Sequence, residues 1–296
     1  MAAVDSLVRS VDAEISYLAP GSFVNRRFVA PGKEVNTGTY LPYSVKVHDG
    51  RPIRSQFSLD QNGFVLAEYR SAVTDFADKE EVEAIYPAES ERAVQSLTGA
   101  DFVLSRGWMV RTSAAIAAGA EKAVGYQHRG GIQPPASEAH IDFLPETAEA
   151  MAAKAYRESL PDAPPYRRCL VSSLWRCFSE PPQDWPLALC DGRSVGAKEG
   201  VPNTLVVVDE IPDHATMIGD WPAERLGPSA AIFHFSPAHR WWYFSRMHRD
   251  EVILLKFHDS NRSTAWRVPH TAFHDPSFAD AHPRQSIEVR TIAYFL

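Results

Sequence analysis

A histidine and an aspartate stand two residues apart in the triplet His140-Ile141-Asp142. The surrounding residues, Ala139 to Leu144, favour a short strand, and in a strand residues i and i+2 project from the same face. An imidazole and a carboxylate that point the same way are two of the three groups of the facial triad that binds non-haem iron(II). Such a triplet also occurs by chance, and the alternative interpretation is a histidine beside a solvated aspartate.

A third candidate ligand, His270, lies at the end of a predicted strand. This position favours His270 over the nearby His274 and His282 as the distal ligand of the triad. Three protein ligands leave three coordination positions open, an arrangement that suits iron(II). The sequence therefore predicts that His140, Asp142 and His270 bind the metal and carry the catalysis.

The last predicted strand carries polar groups where the inside of a barrel would be apolar. Arg284, Ser286, Glu288 and Arg290 alternate on one face of it. Charges on an inner face are costly unless they are paired or bind a ligand. A guanidinium and a hydroxyl two residues apart can hold a carboxylate through a fork and one further hydrogen bond. We therefore predict that Arg284, Ser286 and Arg290 bind the cofactor. The alternative is a rim of salt bridges with Glu288 or Asp280.

The order of these groups along the chain is more specific than any one of them. A His-x-Asp triplet, a distal histidine and then Arg-x-Ser form the pattern of iron(II)/2-oxoglutarate dioxygenases. In that pattern three protein ligands hold the metal, the 2-oxo acid chelates it, and the arginine binds the far carboxylate. The sequence thus predicts Fe(II) and 2-oxoglutarate as cofactors, with the protein supplying ligands, orientation and a dry pocket.

The elements that must position these residues divide the chain into two parts. Helices are predicted over Asp75 to Tyr86, Glu89 to Leu97 and Glu146 to Ser159. From Arg168 onward, seven short β-rich runs separated by turn residues indicate a β-sandwich or jelly roll. The predicted fold class is α+β: a double-stranded β-helix (jelly-roll or cupin-like) core, about 136–296, with buttressing N-terminal helices in a mixed part, about 1–135. Because no change in composition marks a linker, we expect a single domain over 1–296.

Composition and charge exclude several classes of partner. The chain of 296 residues is 45% hydrophobic and 23% charged, which is ordinary for a domain with a real core. Its net charge of −7 argues against nucleic acid, because phosphate binding needs a basic face. We expect neither a membrane span nor a signal peptide, since no long apolar run or basic leader occurs. The three cysteines have no CxxC spacing and indicate reduced thiols in a cytoplasmic protein.

Motifs spread over most of the chain are similar to those of one family. They include His140-Ile141-Asp142-Phe143, Trp175-Arg176, Trp185-Pro186-Leu187-Ala188, His239-Arg240-Trp241-Trp242-Tyr243, Pro269-His270-Thr271-Ala272-Phe273 and Arg284-Gln285-Ser286-Ile287-Glu288-Val289-Arg290. The chain resembles the hydroxylase/desaturase family that includes the cephalosporin 7-alpha-methoxylation subunit and the fungal aspergillic acid hydroxylase/desaturase. The resemblance implies oxidation of secondary metabolites on a double-stranded β-helix. His258 stands where we expect an aromatic residue in the family, and it is left out of the site.

Four further residues are candidates for contact with a small organic substrate. His128 and Arg129 lie on a glycine-bearing loop, while Trp241 and Tyr243 belong to an aromatic run. Because consecutive strand residues point to opposite faces, half of that run is expected to be structural.

Two other functions stay open. One is a metal-dependent hydrolase or isomerase on the same barrel, which would use a metal-bound water and need neither oxygen nor 2-oxoglutarate. The other is a non-catalytic helper subunit, since the methoxylation system of the family works through two proteins. That system makes a metabolite-tailoring enzyme a possible partner. Hydroxylation and desaturation, and monomer and dimer, are all compatible with the sequence.

Overall fold

A computed structural model describes residues 8–22, 24–117 and 132–296. In these ranges most of the regular structure is β-strand, arranged in two sheets and numbered here in chain order. The larger sheet has the spatial order β1 (Ser10–Leu18), β4 (Tyr40–Asp49), β13 (Trp241–Tyr243), β10 (Leu187–Cys190), β15 (His270–Ala272), β8 (His140–Ile141), β12 (Ser229–Ile232), β11 (Val201–Val207), β2 (Arg26–Ala30) and β3 (Lys33–Asn36).

The smaller sheet has the order β5 (Phe64–Glu68), β14 (Glu251–Asp259), β9 (Arg168–Cys177), β16 (Gln285–Phe295), β6 (Phe102–Thr112) and β7 (Ile132–Gln133). The α-helices of the described ranges are α1 (Lys79–Thr98), α2 (Ala114–Ala117), α3 (Pro145–Ser159) and α4 (His214–Ile218). Short 3-10 helices span Arg51–Gln56, Gly192–Ser194 and Ala223–Arg225. The protein is thus a mixed, strand-rich α/β structure with few helices.

Strand β14 shows why the smaller sheet is covered on both faces. Every residue of this strand is buried. Ile253 and Leu255 belong to the main core, which also receives residues of the larger sheet. Val252 and Leu254 point the other way and pack with residues of α1. The apolar run of β14 therefore reflects two separate cores, one on each face.

Helix α1 replaces the two helices that the sequence predicts in this region. Its N-terminus is capped by Asp78, whose carboxylate accepts hydrogen bonds from the backbone N–H groups of Glu80 and Glu81. It ends at Gly99, which adopts the left-handed conformation (φ 69°) of a C-cap. None of the described helices is long and apolar enough to cross a membrane.

The predicted set of buttressing N-terminal helices is not supported. In the described part before residue 79 the chain forms β1 to β5 and one 3-10 helix. The reason is visible in β1, whose residues alternate between exposed and buried along most of its length, a period that suits a strand and not a helix. Three of these early strands pair with late ones in both sheets, β4 with β13, β2 with β11 and β5 with β14, and the following strand β6 pairs with β16.

Candidate metal centre

The two histidines of the predicted triad are brought together by strand pairing. His140 in β8 and His270 in β15 are direct partners in the antiparallel register, and their ring centroids lie 4.4 Å apart. Asp142 follows two residues after His140 and projects to the same side. One carboxylate oxygen, Oδ1, lies 3.4 Å from Nε2 of His140 and 3.6 Å from Nε2 of His270. The three ligand atoms all lie within 4.8 Å of one another, close enough to share one metal ion.

Each imidazole is oriented by a backbone carbonyl. Nδ1 of His140 lies 2.8 Å from the carbonyl oxygen of Glu138, and Nδ1 of His270 lies 3.3 Å from that of Val268. A ring N–H that donates to a carbonyl at Nδ1 leaves the lone pair on Nε2, which faces Asp142. Metal-binding histidines are oriented in the same way.

The electrostatics favour the metal-binding forms of Asp142 and His270. Burial alone would raise the pKa of Asp142, but Arg290 and the two histidines hold it well below its ordinary value. Burial lowers the pKa of His270 to about 4. Burial acts in the same direction on His140, but its contact with Asp142 outweighs burial and raises the pKa overall. A carboxylate and two imidazoles form the donor set that suits iron(II).

A small cavity adjoins the triad and is lined by a buried cation with an unpaired donor. Arg284 lines it and is only 2% exposed, and burial lowers its pKa to about 10, so the guanidinium stays charged at neutral pH. Its Nη1 donates to the carbonyl of Trp185 at 3.0 Å, but its Nε has no hydrogen-bond partner among the described residues. The buried hydroxyl of Ser286, two residues further along, is also without a partner in the described ranges. Since a buried donor left unpaired is costly, this pair fits a carboxylate ligand.

A second, larger cavity meets the first one at the triad. His140, Asp142 and Arg111 line both cavities. The candidate metal centre therefore lies between a small compartment with a buried arginine and a larger one bordered by the larger sheet.

Comparisons with known proteins agree with this geometry. The family described as the oxidoreductase/YMDC permease-like domain matches residues 15–294. The chain is 31% identical to a hydroxylase/desaturase, efuI, of Hormonema carpetanum, over 91% of this chain and 92% of that protein. It is 30% identical to an Fe(II)/2-oxoglutarate-dependent dioxygenase, nvfI, of Aspergillus novofumigatus, over 89% and 87%. The chain belongs to the hydroxylase/desaturase family of iron(II)/2-oxoglutarate-dependent oxygenases.

A solved structure of the same family has the same fold. The iron and alpha-ketoglutarate-dependent endoperoxidase NvfI superimposes with a TM-score of 0.74 at 27% identity, over 97% of this chain and 98% of that one. The family membership predicted from the sequence motifs is thus confirmed, together with the prediction of an iron- and 2-oxoglutarate-dependent enzyme.

One predicted cofactor contact has a different partner in this hydroxylase/desaturase. Arg290 forms an ion pair with Asp142, with its Nε and Nη2 2.7 and 2.6 Å from Oδ2. It therefore holds a metal ligand, because a buried carboxylate needs a counter-charge that the sequence pattern does not reveal. His274 and His282 lie outside the cluster of possible ligands that the described residues form around His270.

Two of the four predicted substrate contacts, Trp241 and Tyr243, are not among the described residues that line the two cavities. Trp241 instead donates to the hydroxyl of Tyr17 at 2.7 Å, on the side of the larger sheet away from the triad. His128 and Arg129 lie outside the described residues.

Sequence reasoning missed an ion pair in the small cavity. Arg111 of β6 and Glu288 of β16 are 3.1 Å apart, and both line this cavity. Burial would raise the pKa of Glu288, but Arg111 holds it below its ordinary value. The two residues lie 177 positions apart in the chain, so only the pairing of β6 with β16 reveals the contact.

Proposed function

We propose that this family member uses His140, Asp142 and His270 to bind iron(II), and that it hydroxylates or desaturates a small organic metabolite with 2-oxoglutarate as cosubstrate. The observation that carries the proposal is that the triad shares a cavity with the buried Arg284, whose Nε has no hydrogen-bond partner in the described ranges, as is also true of the nearby hydroxyl of Ser286. The names of the relatives extend from hydroxylase/desaturase to endoperoxidase, so the family supports more than one outcome of oxidation.

The small cavity is proposed to bind 2-oxoglutarate. Arg284 and Ser286 would hold the distal carboxylate, which satisfies both orphan groups at once. The open side of the triad would face the 2-oxo acid end. When bound, iron(II) would activate dioxygen as the oxidant, with 2-oxoglutarate as the co-reductant, and this chemistry would break an unactivated C–H bond, which no protein side chain can do.

The residues around the triad keep the site dry and its ligands in place. Arg290 holds Asp142 so that its Oδ1 is directed at both histidines. Phe257 stacks on the ring of His270, with centroids 5.3 Å apart, which restrains that imidazole. The Arg111–Glu288 pair neutralises two charges that would otherwise attract water beside the small cavity. Such preorganisation is how a protein assists metal chemistry.

We further propose that residues 1–296 form one domain with a double-stranded β-helix core. The pairing of early with late strands in both sheets supports this proposal, since neither part of the chain could form its sheets alone. A partner tailoring enzyme stays a proposal that rests on the family resemblance.

An anaerobic titration with iron(II) and then 2-oxoglutarate tests the cofactor assignment. We expect a weak visible metal-to-ligand charge-transfer band in the native protein, no band in His140→Ala, and a weakened band in Arg284→Gln. Arg54→Gln is the matched control, because its guanidinium is half exposed on the surface. Iron binding without any band would contradict the assignment of 2-oxoglutarate and favour a hydrolase or a helper subunit.

A further inference from the structure

The floor of the larger cavity is a row of strands that leads away from the metal ligands. Next to β8 with His140 come β12, β11, β2 and β3 in the sheet. Ile232 of β12 is the register partner of His140, and Ala230 of the same strand is the partner of Asn203 in β11. All four residues line the cavity, so the residues of this row lie at increasing distances from the metal site.

The spacing of strands and of residues along a strand gives the distance from His140 to Asn203. Asn203 lies two strands away from His140, at about 4.8 Å per strand, and is displaced by two residues along the strand, at about 3.4 Å each. The diagonal between the two backbone positions is therefore about 12 Å. The reacting carbon of a ligand would lie a few ångströms from the metal. The part of the ligand that contacts Asn203 would then lie roughly 10 Å from that carbon.

Asn203 lines this cavity and has an unused acceptor. Its side chain is nine-tenths buried, with 8% exposed, and its Nδ2 donates to Oδ1 of Asn36 at 3.1 Å. Its own Oδ1 has no hydrogen-bond partner among the described residues. A buried acceptor left unpaired is destabilising, so a ligand that donates a hydrogen bond is favoured at this point. Between Asn203 and the triad the floor consists of the apolar side chains of Ala230 and Ile232.

We infer that Asn203 determines substrate specificity by accepting a hydrogen bond from a hydroxyl group of the substrate. The substrate class is then an alcohol with an apolar segment, which would lie against Ala230 and Ile232, between its hydroxyl and the carbon that is oxidised roughly 10 Å away. A hydroxyl satisfies the acceptor alone, whereas an amide N–H would bring a carbonyl that also needs a partner. The inference rests on the proposed function, because the triad defines the reacting end.

The test uses trans-4-cyclohexylcyclohexanol, a rigid alcohol of this length, and its methyl ether, which keeps the shape but lacks the donor. Each is titrated anaerobically into protein loaded with iron(II) and 2-oxoglutarate, and the change of the charge-transfer band gives the Kd. We expect the native protein to bind the alcohol at least ~10-fold more tightly than the ether, as one hydrogen bond to a buried acceptor predicts. Asn203→Leu should bind both compounds equally. Asn203→Thr serves as a second variant.

Thr204→Val is the matched control, because Thr204 adjoins Asn203 but faces the other side of β11, where its hydroxyl meets that of Ser229 at 2.8 Å. It should keep the preference for the alcohol. With manganese(II) in place of iron, proton relaxation should be faster in the distal ring than at the carbinol carbon. The inference is overturned if the native protein binds neither compound or both equally, or if the preference survives in both Asn203 variants. A missing band before any probe is added refutes the proposed function instead.

Discussion

Arg290 binds one oxygen of the Asp142 carboxylate and leaves the other oxygen facing the two histidines. The arginine approaches Oδ2 with two nitrogen atoms at 2.7 and 2.6 Å, while Oδ1 faces Nε2 of both histidines. The carboxylate therefore cannot rotate without breaking a buried ion pair. Preorganisation of this kind aims one oxygen at the metal before the metal arrives.

Replacing this arginine should weaken metal binding more than it changes the fold. For Arg290→Gln we expect iron(II) affinity to fall about 10- to 100-fold, the range found when a residue that orients a ligand is lost. The metal-free variant should also lose stability, because Asp142 keeps its burial but loses its counter-charge. Competitive metal titration and thermal unfolding with and without iron measure the two effects. Unchanged iron affinity would show that Asp142 does not depend on this pair.

The hydroxyl of Ser286 should matter only when 2-oxoglutarate is bound. Ser286→Ala removes a buried hydroxyl that has no partner in the described ranges, so the stability of the ligand-free protein should stay the same or rise. The Kd for 2-oxoglutarate should rise about 3- to 10-fold, as the loss of one neutral hydrogen bond predicts.

Ser172→Ala is the control for this prediction, because the Ser172 hydroxyl lies 2.8 Å from that of Thr291 in a buried pair. That variant should lose about 1 kcal/mol with or without 2-oxoglutarate. Thermal shifts and ligand titration of both variants provide the comparison. A Ser286→Ala protein that binds 2-oxoglutarate with native affinity would remove Ser286 from the site.

His258 should make the fold sensitive to mild acid. Burial and the nearby Arg262 lower its pKa to about 4, although a Glu149 oxygen lies 3.2 Å from Nε2. An unfolded histidine has a pKa of about 6.5, so the unfolded chain binds the extra proton first as the pH falls. Stability is therefore lost between about pH 6.5 and pH 4, and about 2 kcal/mol of that loss is present at pH 5.

The variant His258→Phe tests this sign. The free energy of unfolding of the variant minus that of the native protein should be about 2 kcal/mol more favourable at pH 5 than at pH 8, because phenylalanine takes up no proton. Urea unfolding at the two pH values measures the difference. His214→Phe, at an exposed position, controls for the loss of an imidazole elsewhere. An equal response of both variants would contradict the assignment.

Trp241 should be needed for stability and not for ligand binding. Trp241→Phe removes the 2.7 Å hydrogen bond to the buried hydroxyl of Tyr17, with an expected cost of about 1–3 kcal/mol. The Kd for 2-oxoglutarate should change less than twofold. Urea unfolding and the anaerobic titration separate the two properties. If the variant has native stability but binds 2-oxoglutarate more weakly, Trp241 contributes to ligand binding and the prediction is wrong.

The sequence by itself determined the types and order of the chemical groups. The spacing of His140 and Asp142 places them on one face of any strand, and the alternation after Arg284 does the same for the arginine and serine. These are local consequences of a period of two residues, and they need no knowledge of the fold. The family motifs then identified the iron- and 2-oxoglutarate-dependent class, which the comparisons confirm.

Only the tertiary structure decided which distant residues meet. The register of β8 against β15 selects His270, the fold pairs Arg290 with Asp142, and the pairing of β6 with β16 places Arg111 beside Glu288. Strands β4 and β5 likewise have partners, β13 and β14, that lie more than a hundred residues later in the chain. Pairings between residues so far apart depend on the free energy of the whole sheet, and no local pattern of residues encodes that quantity.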